Sequence, residues 1–325
     1  MRIRNIVAGG AVLLMAQIWA GAAQAQVAVS KESLSFTSPS RSGPVSVTAE
    51  LFLPEAPAGT RLPAMLLIHG SGGVTDAREY AYAREFSAMG VASIVPDSFT
   101  PRGVKSTVAD QSTVSTNDML NDAFNALKLA AQHPRLDPAR IGIAGFSKGG
   151  SVALRAALHL MAERHARNGP RFALHVPFYP GCDTHYYDTR TTGAPILMLM
   201  GAADTYVGTE NCMIIATALK AAGAKLETMI YPGAQHGWDG SAPPWSQANG
   251  ENWSKCFFVQ QADLSWVEQT SGIKTAGPDG RPNADAPKAL AQCRTLGVSG
   301  GANAAVRAEA LAALKQAMRQ AFSLP

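Results

Sequence analysis

The stretch Ile141-Gly142-Ile143-Ala144-Gly145-Phe146-Ser147-Lys148-Gly149-Gly150 decides the fold. A short apolar run leads into Gly-x-Ser-x-Gly, and a helical pattern follows. On a sharp strand-to-helix turn a serine is held in a strained conformation, with its hydroxyl lifted clear of the sheet. The residues two before and two after must be small, and Gly145 and Gly149 satisfy this. The following helix points its free N–H groups at whatever the serine attacks. Ser147 is therefore the candidate nucleophile. In a chain with 30 glycines the motif alone is weak, since a plain βα turn with Ser147 as helix N-cap reads the same. A base and an acid at suitable places separate the two readings.

Working outward, short apolar runs alternate with helical ones. Strands are predicted at Val27–Phe36, Val45–Leu53, Ala64–Ile68, Val91–Val95, Ile141–Ala144, Phe172–Phe178, Pro195–Met200 and Leu226–Tyr231. Helices are predicted at Ala77–Met89, Asn117–Gln132, from Ser147 to about Arg167, Cys212–Ala222 and Ala302–Phe322. This alternation predicts an α/β fold with a mostly parallel sheet covered on both faces, and the first two strands as an antiparallel edge hairpin. Residues 239–302 fit the alternation poorly and are expected to form an irregular, disulfide-stapled excursion near the active face.

The first 25 residues have a basic start, an apolar middle and the small-residue end Ala23-Gln24-Ala25, as a secretory signal does. Cleavage after Ala25 is expected, leaving residues 26–325 as one domain, periplasmic or secreted, with no stable membrane anchor. Loss of Arg2 and Arg4 would lower the formal charge from +4 to +2. With no Lys/Arg cluster, nothing points to nucleic acid or an anionic membrane surface. The sequence carries no signal for oligomeric state. Four cysteines in an exported chain suggest two disulfides, with three possible pairings. Cys182–Cys212 and Cys256–Cys293 are expected. No metal site is expected, since C-x-x-C and paired histidines are absent.

In open α/β sheets function collects at the C-terminal strand ends. Of seven histidines, His236 alone lies on a loop just past a late strand. His133, His159 and His165 fall on helices or their ends, His175 within a strand and His185 in a loop, while His69 orders a glycine loop. Asp204, after an earlier strand, fits the acid, with Asp183 and Glu210 as runners-up and Asp239 too close to His236. The order Ser147, Asp204, His236 is the one this architecture uses. Oxyanion donors are expected from the backbone N–H groups of Lys148 and Ser71.

The segments His69-Gly70-Ser71-Gly72-Gly73, Val95-Pro96-Asp97-Ser98-Phe99, Gly145–Gly150, Phe178-Tyr179-Pro180-Gly181-Cys182, Gly201-Ala202-Ala203-Asp204 and Tyr231–Gly237 resemble, in this order, the dienelactone hydrolase family of α/β-hydrolases. The resemblance covers about Ala64–Gly237. It implies an α/β-hydrolase fold, no cofactor, and a small ester or lactone as substrate. Enzymes of this family that open dienelactones carry a cysteine nucleophile, so Ser147 resembles the esterase-like members. The acidic residue those enzymes place after the first core strand is absent from His69–Gly73. Arg102 matches either a family arginine that binds a substrate carboxylate or a surface loop charge. Phe146, Tyr179, Tyr186, Tyr187 and Trp238 are candidate pocket residues, Trp238 first among them. The expected function is an exported serine esterase acting on a small or medium ester, lactone or acylated sugar through an acyl-enzyme. A serine peptidase of prolyl-oligopeptidase type is the alternative, although residues 26–63 leave no room for its N-terminal propeller. A non-catalytic binding protein on the same scaffold is the third reading.

Overall fold

The computed structural model describes residues 28–40 and 43–325; the expected signal peptide and its cleavage site lie outside them. The elements run β1 (Val29–Ser38), β2 (Val45–Pro54), β3 (Leu62–Ile68), α1 (Ala81–Ser87), β4 (Ala92–Asp97), α2 (Thr116–Gln132), β5 (Leu136–Phe146) and α3 (Lys148–Ala156). They continue with α4 (His159–Ala166), β6 (His175–Phe178), β7 (Thr184–His185), β8 (Ile196–Gly201), α5 (Glu210–Ala221) and β9 (Leu226–Tyr231). Then come β10 (Trp245–Asn252), β11 (Phe258–Gln260), β12 (Trp266–Glu268), β13 (Ile273–Ala276), α6 (Ala286–Cys293), β14 (Thr295–Gly300) and α7 (Ala304–Phe322).

An eight-stranded sheet has the order β1-β2-β4-β3-β5-β6-β8-β9. β1 and β2 form the expected antiparallel hairpin, β2 runs antiparallel to β4, and the remaining pairs are parallel. The central strands are apolar on both sides because both sides are covered. One core joins β3 and β5 to Met119, Phe124 and Leu127 of α2, Val152 of α3 and Leu219 of α5. The other joins Met65, Leu67 and Val176 to Phe86 of α1 and to Leu314, Met318 and Phe322 of α7. This is an α/β-hydrolase fold.

Two expected elements differ. The helix expected to run to about Arg167 breaks at Leu158, whose backbone is extended (φ −73°, ψ 132°). A strap at 190–192 takes the backbone groups there: Thr192 N–H donates to Ala157 O at 2.9 Å and His159 N–H to Arg190 O at 2.9 Å. Tertiary hydrogen bonding thus overrides an apolar pattern that continues across the break. The excursion at 239–302 is also more ordered than expected. β10 pairs with β14, and β13, β12, β11 and β7 form a second small sheet. The disulfides are Cys182–Cys212 and Cys256–Cys293, as expected.

Parallel register brings the site together. Ile68 of β3 lies beside Gly145 of β5, and Phe146 beside Phe178 of β6. The loops after β3, β5, β8 and β9 therefore converge at one end of the sheet.

Candidate active site

Ser147 sits between β5 and α3 at φ 56°, ψ −114°. Such a conformation is rare for a residue with a Cβ and costs of order 1–3 kcal/mol. The surrounding glycines make it possible. A Cβ on Gly145 would come within 1.9 Å of Gly149 O, and one on Gly149 within 2.1 Å of Ile68 O. A Cβ on Gly150 would stand 2.4 Å from Phe178 O. The turn is thus pressed against β3 and β6, and Ser147 N–H donates to Phe178 O at 3.0 Å.

His236 lies on the loop after β9 and Asp204 on the loop after β8. His236 Nε2 is 2.9 Å from Ser147 Oγ, and His236 Nδ1 is 2.8 Å from Asp204 Oδ2. Asp204 Oδ1 accepts the N–H groups of Tyr206 at 2.9 Å and Val207 at 3.1 Å. Both His236 and Asp204 are buried, so the carboxylate has both oxygens occupied and a fixed orientation. The imidazole lies between the rings of Tyr206 and Tyr179, at centroid distances of 4.5 and 4.8 Å.

The glycine loop after β3 is pinned by His69. Its Nε2 accepts Ser98 N–H at 3.1 Å, which leaves Nδ1 protonated to donate to Gly70 O at 2.8 Å. Burial lowers the pKa of this ring, in keeping with the neutral tautomer. A Cβ on Gly70 would lie 3.1 Å from Phe146 O and 3.4 Å from Ser147 Cβ, so this loop borders the serine turn closely. Lys148 opens α3, where backbone N–H groups lack intrahelical acceptors.

A cleft of about 270 Å³ opens at Ser147 and is bordered by Ser71, Gln111, Lys148, Tyr206 and Trp253 among others. Three of the substrate-binding candidates lie elsewhere. Arg102 is spent on Asp122 through a two-pronged pair of 2.8 and 2.9 Å and also donates to Ser98 O at 2.7 Å. Its side chain is 7% exposed, so neither the carboxylate-binding nor the surface-charge reading holds. Tyr179 turns its hydroxyl to Asp239 Oδ1, and Asp239 also faces Arg78 Nε at 3.4 Å. Trp238 is fully buried against Phe178, Tyr179 and Tyr231. Tyr179 packs on the His236 imidazole, and neither its ring nor that of Trp238 reaches the cleft. Of the runner-up acids, Asp183 is paired with Arg155 at 3.0 Å and Glu210 opens α5.

The sequence reading missed the far wall of the cleft. Gln111 accepts Ser71 Oγ–H at 3.0 Å, donates through Nε2 to Tyr206 OH at 3.2 Å, and its N–H reaches Glu251 at 2.8 Å. Glu251 in turn pairs with Arg294. The Lys148 ammonium donates to Thr107 Oγ1, Gln111 O and Val114 O, tying the 107–114 segment to α3. Of these, only Tyr206, two residues past Asp204, carried a positional signal. Among the described residues, no group of three or more His, Cys, Asp or Glu side chains could hold a metal ion. No helix among them is long and apolar enough to cross a membrane.

A strained serine on a strand-to-helix turn, lined up with a histidine and a buried aspartate at the strand ends, places the chain among α/β-hydrolases. The model of the dienelactone hydrolase family matches residues 47–262, and the chain belongs to that family. It is 27% identical over 240 residues to a Salmonella typhimurium protein named "Putative carboxymethylenebutenolidase", covering 68% of this chain and 82% of that one. An Escherichia coli K12 protein of the same name is 26% identical over 231 residues, covering 66% and 79%. Among solved structures, native esterase 2 of Thermogutta terrifontis aligns with TM-score 0.52 at 18% identity, covering 67% of this chain and 85% of that chain. A Klebsiella pneumoniae structure described as a "Putative Dienelactone Hydrolase" aligns with TM-score 0.52 at 22% identity, covering 65% and 89%. These structural likenesses establish the fold.

Proposed function

We propose that the chain is an exported ester hydrolase that works through an acyl-enzyme on Ser147. The observation that carries this reading is the unbroken line from Ser147 Oγ through His236 to Asp204, at 2.9 and 2.8 Å. A serine hydroxyl is a poor nucleophile at neutral pH without a base. His236 Nε2 takes the proton as Ser147 Oγ bonds to the ester carbonyl carbon, while Asp204 holds Nδ1–H and stabilises the imidazolium. The oxyanion of the tetrahedral intermediate accepts the N–H groups of Ser71 and Lys148. Collapse breaks the bond to the alcohol, which leaves with the proton from His236. Water then repeats the sequence on the acyl-enzyme, releasing the acid and restoring Ser147. Export is supported by the sequence of the first 25 residues and by two disulfides, which persist in oxidising compartments.

The test is turnover of p-nitrophenyl esters of increasing acyl length beside Ser147→Ala and Asp204→Asn. Ser147→Ala should lower kcat by about 10³-fold or more, and Asp204→Asn by about 10⁴-fold through the wrong imidazole tautomer. Paraoxon should leave one diethylphosphoryl group, located by mass spectrometry on the peptide containing Ser147. Full activity in Ser147→Ala, or labelling on another residue, would overturn the proposal.

A further inference from the structure

Beyond the cleft at Ser147 lies a second chamber of about 700 Å³. The two share Asn117, Arg155, Thr184, Trp253 and Phe258 in their walls, so they adjoin, and a ligand spanning both would run along one groove. The second chamber is built mainly by the excursion: β11, β12, β13, the turn at 278–283 and α6 supply most of its lining, facing α4. Its size falls within the roughly 300–1,000 Å³ typical of ligand sites, far more than a short acyl group needs.

Both walls mix polar and apolar groups, but of different kinds. The part near Ser147 presents hydroxyl and amide side chains, including Ser112, Ser115, Thr116, Asn117, Asn211 and Ser254. Ser112, Ser115 and Ser254 give their hydroxyl protons to Asp110, Asp118 and Asn252, which leaves oxygen lone pairs able to accept from a ligand's hydroxyl groups. The outer chamber instead presents four aromatic rings, Tyr186, Trp253, Phe258 and Trp266, interspersed with Gln260 and Asn283. The Tyr186 and Trp266 rings brace each other edge to face at 5.1 Å. Trp253 borders both chambers, and its buried Nε1–H has no hydrogen-bond partner. The inner charges are already matched: Arg155 with Asp183, Glu251 with Arg294, and the Lys148 ammonium with backbone carbonyls. At the rim stand one exposed cation, Arg164, and one exposed anion, Asp279.

We infer that the groove binds the alcohol part of the substrate, and that this alcohol is a neutral oligosaccharide carrying a short acyl ester. Pyranose rings have apolar C–H faces that lie on aromatic rings and hydroxyl edges that suit amide and hydroxyl side chains. The ester sits at Ser147, the acylated sugar in the polar part, and the next sugar units on the rings of the outer chamber. Hydrolysis then gives a short carboxylic acid and a free sugar hydroxyl, with water as the only co-reactant. This inference rests on the ester-hydrolase reading.

The experiment measures kcat/KM for monoacetyl esters of mono-, di- and trisaccharides in the gluco-, xylo- and manno- series, beside p-nitrophenyl acetate, hexyl acetate and dodecyl acetate. At least one trisaccharide ester should exceed its monosaccharide ester by tenfold or more, mainly through KM, with no such gain along the alkyl series. Trp266→Ala should reduce that gain at least tenfold, and Trp266→Phe should restore it. Should Trp266→Ala not fold, the unacylated trisaccharide titrated into Ser147→Ala by calorimetry gives an independent reading, with binding expected. A gain confined to alkyl acetates, no gain in any sugar series, or no heat of binding would overturn the inference. Turnover of p-nitrophenyl acetate by wild type but not by Ser147→Ala would leave the ester-hydrolase reading standing in each case.

Discussion

Replacing Lys148 by methionine keeps the length of a buried side chain and removes its charge. Lys148 is 7% exposed, and burial lowers its pKa from the ordinary 10.5 to about 8, against the pull of Asp118, Asp110, Asp183 and Glu251. At 1.36 kcal/mol per pKa unit, this fall corresponds to about 3 kcal/mol by which the fold disfavours the charged form. Below pH 8 both the folded and unfolded chains carry the proton, and the whole burial cost is felt. Between pH 8 and 10.5 the unfolded chain keeps a proton that the folded chain has lost, so stability contributed by this residue rises with pH. Methionine has no such slope. It also leaves the carbonyls of Gln111 and Val114 without the ammonium, at about 1–3 kcal/mol each. Near pH 7 the relief from charge burial largely offsets that loss, so the mutant should lie within about 3 kcal/mol of wild type. The slope is the sharper reading. Urea unfolding of both proteins at intervals from pH 7 to 10.5 should show wild type gaining on Lys148→Met by about 3 kcal/mol. Effects common to both proteins cancel in the difference. A flat difference, or one that falls with pH, would refute the buried-ammonium argument.

Gly149→Ala should abolish activity and lower stability by about 3 kcal/mol or more, because its Cβ would stand 2.1 Å from Ile68 O in backbone that cannot swing aside; thermal melting and p-nitrophenyl acetate turnover check this. Asp239→Ala leaves the Arg78 guanidinium facing an empty site and removes the Tyr179 acceptor. A loss of about 3–5 kcal/mol in chemical unfolding is expected for such a broken buried pair. Removing Cys256–Cys293 by double serine substitution frees a loop of 37 residues, worth up to about 4 kcal/mol by loop entropy. The same variant should raise KM for the largest substrate more than for p-nitrophenyl acetate.

Much of the fold was legible because it is written in local patterns. The apolar runs of β3, β5 and β8 and the glycines around Ser147 state their roles within a few residues. Ser147, Asp204 and His236 could be expected to meet because the strands that carry them end in polar loops, and the order of those loops is fixed by topology. Long-range choices left no such mark. Whether Arg102 reaches a substrate or Asp122 depends on where α2 packs, 20 residues away. Trp238 and Tyr179 looked like pocket residues because they flank His236 in sequence or in the sheet, yet burial turned both inward. The excursion was opaque because β11 and β12 have three residues each, too few for a period-2 pattern. Of the outer chamber's walls, Tyr186 alone stood among the pocket candidates read from the sequence.

The two ends of the excursion meet beside His236. Gly301 N–H donates to His236 O at 3.0 Å, Ala302 N–H to Ala242 O at 3.0 Å and Asn303 N–H to Trp238 O at 2.8 Å. A Cβ on Gly300 would come within 2.2 Å of His236 O, so the returning strand is seated against that loop. The chain from Ala242 to Ala302 is therefore a closed detour whose departure and return are fastened at one spot. Doubling such a detour costs only about 0.6 kcal/mol in closure entropy. Its interior can be lengthened, shortened or redecorated while the fastening holds His236 still. The residues that fasten His236 and those that line the outer chamber therefore belong to separable parts of the chain.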